Sequence, residues 1–274
     1  VIDATGTWAQ PNPVHADNVW TKAEKQLANA IYYGIPNVDE LKERYSGKRV
    51  AVVGGGHSAI NTILELEKLE DVELTWVLRK KRVEEAYGGE DKDALAARGE
   101  LGSRIHKLVD EGKVSVYTPF YIQELKQTEA GIIIKGEGLN SEQQLPAVDE
   151  IIANTGSRPD FSFLNEIRLS IETAVESVAA LAPLIDPNEH SCGTVRPHGE
   201  LELRQPEVGF YIVGMKSYGR APTFLMATGY EQVRSIVAYL TGDLEAARKV
   251  ELDLPETGVC SIDLSSSSTG TTCC

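Results

Sequence analysis

One stretch constrains this chain more than any other: an apolar strand running straight into three glycines and then a helix. It reads Arg49-Val50-Ala51-Val52-Val53-Gly54-Gly55-Gly56-His57-Ser58-Ala59-Ile60. Gly54, Gly56 and Ala59 hold the small-residue positions of a G-x-G-x-x-(G/A) pattern, with Gly55, His57 and Ser58 between them. Such a turn lets bare backbone approach a pyrophosphate, whose charge then rests on the helix N-terminus. The pattern predicts a dinucleotide-binding βαβ unit.

The flanking residues support that unit. Ile60, Ile63, Leu64, Leu66 and Leu69 supply one apolar helical face, and Val72 to Leu78 read as the second strand. In the NAD-type fingerprint the second strand ends in an acidic residue that holds the ribose 2′-hydroxyl. Here it ends in Arg79-Lys80-Lys81-Arg82. A guanidinium forks onto a 2′-phosphate where a carboxylate would repel it. NADPH is therefore the expected nucleotide, with Arg79 the leading phosphate contact and Lys80 beside it. The plainer alternative for the four cations is a solvated basic loop.

Charge and cysteine usage narrow the rest. The net charge of −14 argues against nucleic acid and anionic membrane surfaces as partners. No apolar run reaches membrane-spanning length and no signal peptide is visible. The four cysteines, Cys192, Cys260, Cys273 and Cys274, do not form a secreted disulfide framework, so a reducing cytoplasm is expected. The chain opens without methionine in an apolar run, Val1-Ile2-Asp3-Ala4-Thr5-Gly6, which is expected of a segment lying inside a larger polypeptide.

Pattern reading gives a strand at residues 1–4, a linker at Pro11 and Pro13, and a helix over residues 17–33 with Trp20, Leu27 and Ile31 on its apolar side. Residues 40–46 form a polar approach to the glycine-turn strand. Residues 91–111 fit a helix interrupted at Gly99 and Gly102, residues 114–117 a strand, and residues 121–126 with 132–135 an antiparallel meander. A strand at 148–153, a loop-rich stretch at 161–206, a strand at 209–213 and a helix at 223–240 complete the pattern. Residues 261–274 are rich in Ser and Thr and are expected to be disordered. Trp8, Trp20 and Trp76 are expected in cores or domain interfaces. His57 is expected to pack or bond locally, and His106 needs no role.

A faint internal echo brackets the dinucleotide unit. Val1-Ile2-Asp3-Ala4-Thr5-Gly6-Thr7 matches Ile151-Ile152-Ala153-Asn154-Thr155-Gly156-Ser157 in being an apolar strand that ends in Thr-Gly. This bracketing resembles the flavoproteins with two dinucleotide-binding domains, the group of thioredoxin reductase and the flavin-containing monooxygenases. The resemblance covers about residues 1–245. It implies an α/β fold in which a Rossmann-like NAD(P)-binding domain is inserted into an FAD-binding domain, here N-terminally incomplete. The implied division is a crossing strand at 1–12, an NADPH domain at 13–150, the C-terminal half of an FAD domain at 151–254 and a tail at 255–274.

The same resemblance implies cofactor contacts at Thr5, Gly6, Thr155, Gly156 and Arg158 in the crossings, and at Gly214, Met215, Thr223 and Phe224 near the flavin. Helix N-terminal amides would face the flavin pyrimidine oxygen. The sequence departs from the group in three places. No FAD fingerprint precedes Val1, and Met215 stands where the group has Asp. The Cys-x-x-Cys and F-x-G-x-x-x-H signatures are absent. The implied activity is an NADPH-dependent, FAD-containing oxidoreductase that passes hydride to the flavin and then to a small-molecule acceptor. Oxygen as acceptor would make it a monooxygenase; a thiol, quinone or metalloid would make it a reductase. A binding module without turnover is the alternative for the chain alone, and a homodimer stays open. No residue reads as a general acid or base.

Three smaller features complete the candidates. Cys273 and Cys274 pair as a soft-metal or metalloid site, with Cys260 able to join them. His190, Cys192 and His198 fall in one loop but lack a fourth zinc ligand, which favours a loop over flavin or substrate. Lys216 and Arg220, in the loop after the 209–213 strand, are expected to neutralise a reduced flavin or an anionic substrate.

Overall fold

Alternating apolar side chains in the glycine-turn strand decide the architecture. Val50 and Val52 point to one face and Ala51 and Val53 to the other, and all four are buried. A strand buried on both faces belongs inside a parallel sheet covered on two sides. The computed structural model describes residues 1–93, 96–139, 141–186 and 195–252. Its strands are β1 Ile2–Asp3, β2 Ile31–Tyr33, β3 Arg49–Val53, β4 Glu73–Val77, β5 Val114–Tyr117, β6 Tyr121–Thr128, β7 Gly131–Glu137, β8 Glu142–Gln144, β9 Glu150–Ala153, β10 Ile171–Glu172, β11 Ser177–Val178 and β12 Tyr211–Ile212. A five-stranded parallel sheet runs in the order β2-β9-β3-β4-β5.

Each face of that sheet has its own cover. The His57–Leu66 and Ala96–Asp110 helices bury Ile60, Ile63 and Ile105 against Val52, Trp76 and Ile152. The antiparallel meander β6-β7-β8 lays Ile122, Leu125 and Ile134 on Ala51, Val77 and Ile151. A third core, with Leu181, Leu203, Phe210, Ile212, Tyr218 and Ile236, lies under the Met226–Leu240 helix. There β1 pairs in parallel with β12, so the first residues of the chain join residues more than 200 positions later.

Several expectations change. Residues 17–33 are not one helix: a five-residue helix, Lys22–Gln26, and a single turn, Ala28–Ala30, lead into β2. The Ile31-Tyr32-Tyr33 run gains more from pairing with Ile151-Ile152-Ala153 than from helix, as β-branched and aromatic residues do on a pleated surface. Trp20 leans on the Tyr33 ring at 5.3 Å, and Trp8 is 84% exposed rather than in a core. Lys42–Tyr45, expected as polar approach, is a short helix that buries Tyr45. The described residues of the 161–206 stretch fold a small hairpin, β10-β11, and three one-turn helices, Ser162–Leu164, Ala182–Ile185 and Glu200–Leu203. The helix expected from residue 223 begins at Met226 and is followed by a further short helix, Leu244–Arg248, and β9 carries the parallel sheet to Ala153.

Gly99 and Gly102 do not interrupt their helix, which runs unbroken over Ala96–Asp110. They allow contact between backbones. A Cβ on Gly99 would stand 2.1 Å from the Glu90 carbonyl oxygen, and one on Gly102 would stand 2.0 Å from that of Tyr87. Helix propensity alone would favour alanine by about 1 kcal/mol. Here Gly99→Ala and Gly102→Ala should instead each destabilise by about 1–3 kcal/mol, because overpacking forces backbone to move. Thermal unfolding of the two variants checks the sign.

Candidate functional site

The glycine turn sits at the carboxyl edge of the parallel sheet, between β3 and the His57–Leu66 helix. Gly54 has φ +142°, and a Cβ there would stand 2.3 Å from the Asn154 carbonyl oxygen. Only glycine lets β3 and β9 close at this point. A Cβ on Gly56 would meet nothing within 4 Å, so the outer side of the turn is open. Gly56 caps the helix without a side-chain acceptor, and no acidic residue occupies the first turn. Unpaired amides at a helix start carry partial positive charge. The residues present therefore fit a pyrophosphate.

Trp76 fixes the turn from beneath. Its indole N–H donates to the Gly54 carbonyl at 2.7 Å while the ring is fully buried. That bond ties down the carbonyl of the residue that opens the turn. Sequence reading gave Trp76 a core or domain-interface role and no part in the turn. Its inward position in β4, one strand from the glycines, was the available signal.

The basic loop meets the turn through Lys80. Its Cε lies 3.2 Å from where a Gly55 Cβ would be, and its carbonyl accepts a bond from Thr118 Oγ1 at 2.5 Å. Arg79 is exposed and makes a long contact, 3.5 Å, with the Ala16 carbonyl. Arg98 is forked onto Asp93 at 2.7 Å through both nitrogens. Although His57 faces solvent, desolvation and then the Arg98 and Lys80 charges hold its imidazole below the ordinary value, against the pull of Asp93. His106 has more contacts than expected: its ring stacks on Tyr87 at 4.4 Å and bonds Glu90 at 2.9 Å.

The two Thr-Gly segments come together. Thr7 and Ser157 share a hydroxyl bond of 2.8 Å, Thr155 Oγ1 donates to the Asn12 carbonyl at 2.6 Å, and the Asn12 and Arg158 amides donate to Gly156 and Gln10. Thr5 and Gly6 lie on the first segment. The Arg158 side chain is forked onto Glu176 at 2.8 and 2.6 Å.

A second turn, Gly214–Tyr218, follows β12. The expectation for Lys216 is corrected here. The side chain is fully buried and does not face a ligand: Nζ lies 2.7 Å from Asp3 Oδ2 and donates to Thr5 Oγ1 at 3.1 Å and the Asp160 carbonyl at 2.7 Å. Phe161 and Phe163 flank the ammonium, their ring centroids 5.2 and 4.4 Å away. Arg220 remains exposed. The Gly214 amide is committed to Gln232 Oε1 at 2.7 Å, while Met215 is 38% exposed. Phe224 meets Tyr218 edge-on at 5.3 Å, and burial pushes the Tyr218 phenol up. Thr223 Oγ1 is buried without a partner, the kind of orphaned polar atom a ligand can satisfy.

His190, Cys192, Cys260, Cys273 and Cys274 fall outside the described residues. Among the described residues no group of three or more His, Cys, Asp or Glu could hold a metal. No helix among them is long and apolar enough to cross a membrane.

Residues 1–191 match the family model for pyridine nucleotide-disulphide oxidoreductases. The chain belongs to that family. It is 24% identical over 268 residues to a ferredoxin–NADP reductase of Enterococcus faecalis, an alignment covering 94% of this chain and 66% of that protein. Among solved structures it resembles a bacillithiol disulfide reductase of Staphylococcus aureus (TM-score 0.61, 18% identity, 88% of this chain and 61% of that one). It also resembles the T. acidophilum thioredoxin reductase (TM-score 0.53, 14% identity, 90% and 62%). These likenesses establish the FAD/NAD(P)-binding fold. The chain spans under two thirds of the length of each.

The buried ion pair generates a prediction. Burial alone would raise the Asp3 carboxyl, but bonds from Lys216 and Thr5 outweigh it and hold the group below its ordinary 3.8. A carboxyl lowered in the folded state adds stability that is complete above its unfolded value and lost as pH falls through the folded one. Lys216→Met should cost about 3–5 kcal/mol at neutral pH by leaving a buried carboxylate unpaired. Adding Asp3→Asn should restore much of that loss. Urea unfolding at neutral and acid pH, with the single variant losing its deficit in acid, is the measurement.

Proposed function

We propose that this chain is the greater part of an NADPH-dependent, FAD-containing reductase. The observation that carries the reading is the open glycine turn with Lys80 beside it and Arg79 exposed just past the end of β4. The paired Thr-Gly crossings and the orphaned Thr223 hydroxyl support a second, flavin-binding unit. Bound FAD supplies the hydride acceptor and the onward electron donor.

The residues divide the work. Gly55, Gly56, His57 and Ser58 receive the pyrophosphate on backbone amides, while Gly54 and Ala59, whose amides donate to the Val77 and Gly56 carbonyls, supply the tight turn and the close packing behind it. Trp76 holds the turn's first carbonyl in place. Arg79 and Lys80 meet the 2′-phosphate. Thr5, Gly6, Thr155, Gly156 and Arg158 join the two units. Gly214, Met215, Thr223 and Phe224 line the flavin side. Residues 13–150, extended by the rest of β9, form the NADPH unit, and residues 1–12 with the rest of the described chain form the flavin unit. The acceptor is a small redox partner, a disulfide or a small iron–sulfur protein. The family and the names of its relatives favour such a reductase over an oxygenase.

Arg79→Glu should weaken NADPH binding by about 1–3 kcal/mol, the scale of a charged hydrogen bond, and spare NADH. Calorimetric titration with both nucleotides checks this; equal loss for both would remove Arg79 as the phosphate contact. A full-length parent that stays colourless with added FAD would remove the flavoprotein reading.

A further inference from the structure

A buried polar chain backs the Gly214–Tyr218 turn. Gln232, on the Met226–Leu240 helix, is fully buried. Its Oε1 accepts from the Gly214 amide at 2.7 Å. Its Nε2 lies 3.0 Å from Ser217 Oγ and 3.0 Å from His198 Nε2. Ser217 Oγ in turn donates to the Gly214 carbonyl at 2.7 Å. His198 is 5% exposed, and its Nδ1 lies 3.2 Å from the Arg196 carbonyl.

These partners fix every proton in the chain. A backbone amide can only donate, so the Gln232 oxygen must face Gly214. The amide nitrogen then has two hydrogens, one for Ser217 and one for His198. His198 Nε2 must accept, which puts the ring proton on Nδ1, facing a carbonyl that can only accept. The imidazole is therefore neutral. A second proton on Nε2 would set donor against donor at 3.0 Å. Flipping the Gln232 amide would not help, because its nitrogen would then face the Gly214 amide. Unflipped, Gln232 loses its bond to His198 and is pushed off it; flipped, it loses its bond to the Gly214 amide, and in both cases the glutamine that anchors the turn is displaced.

We propose that His198, acting through Gln232, is a positioning residue that sets the Gly214–Tyr218 turn, and that one proton on His198 Nε2 releases it. That the turn so set faces a flavin rests on the reading above. The charges around the ring are Arg196 and Glu202 on its own stretch, with Glu200, Glu231, Arg248 and Lys249 lining the adjoining cavity. Tyr218 packs on the ring from the turn itself, at 5.6 Å. Burial, with Arg196, holds the imidazole below its ordinary value against Glu202 and the bond to Arg196. The turn is thus held near neutral pH and released in mild acid.

The test is a pH titration of the 15N-labelled 274-residue chain, from about pH 8 to 5, following the His198 ring, the Gln232 side-chain amide and the Gly214 amide. The expected result is an Nδ1–H tautomer and one shared midpoint, with the protection of the Gly214 amide, relative to its intrinsic exchange rate at each pH, falling about tenfold below it. His198→Asn should abolish the response at Gly214. Gln232→Glu should reverse the preference, since a carboxylate accepts from both Gly214 and the imidazolium, and raise the His198 midpoint by about one unit or more. A merely structural glutamine would not move the midpoint upward. A ring proton on Nε2, a silent Gly214 while His198 titrates, or an unmoved midpoint in Gln232→Glu overturns the proposal. If that variant does not fold, the wild-type chain and His198→Asn decide it. FAD added to the same sample, followed by its fluorescence, separates the two readings. No uptake with coupled shifts leaves the coupling standing and removes the flavin; uptake without coupled shifts does the reverse.

Discussion

The Lys216 ammonium is the point on which the smaller unit depends. It reaches the first strand through Asp3 and Thr5, and the second crossing through Asp160. Three segments distant in sequence meet on one buried cation. An isolated charge in such a place would be prohibitive, so each partner must be present for the others to be tolerated. The arrangement also explains why β1 and β12, only two residues each, hold a defined register.

The larger unit rests on a different constraint, the approach of backbone to backbone. Gly54 against Asn154, Gly99 against Glu90 and Gly102 against Tyr87 leave no room for a methyl group. The first closes the sheet beneath the glycine turn. The other two seat the Ala96–Asp110 helix beside it. Arg98, on the same helix, thereby reaches the neighbourhood of His57 and Lys80. Shape at this end of the sheet is set by missing side chains as much as by present ones.

Much of this was legible in the sequence. The β3 run, the three glycines and the amphipathic helix carry their period in residues a few positions apart, and they appear as read. The Thr-Gly echo was visible because two strands do similar work. What escaped depended on distant partners. Ile31-Tyr32-Tyr33 has no local signal that β9 awaits it. Gly99 and Gly102 read as breaks because a close neighbour cannot be seen from their own flanks. Lys216 read as a free cation because its carboxylate lies 213 residues earlier. His198 and Gln232 are 34 positions apart and look unrelated until the helix and loop are packed.

Trp76 couples two features usually treated as independent. The glycine pattern belongs to the first strand and the charge preference to the second, yet an indole N–H on the second strand holds a carbonyl on the first. The two positions are therefore expected to drift together among close homologues. A lineage that trades this tryptophan for a side chain with no donor must recruit another group to Gly54 or accept a looser cradle.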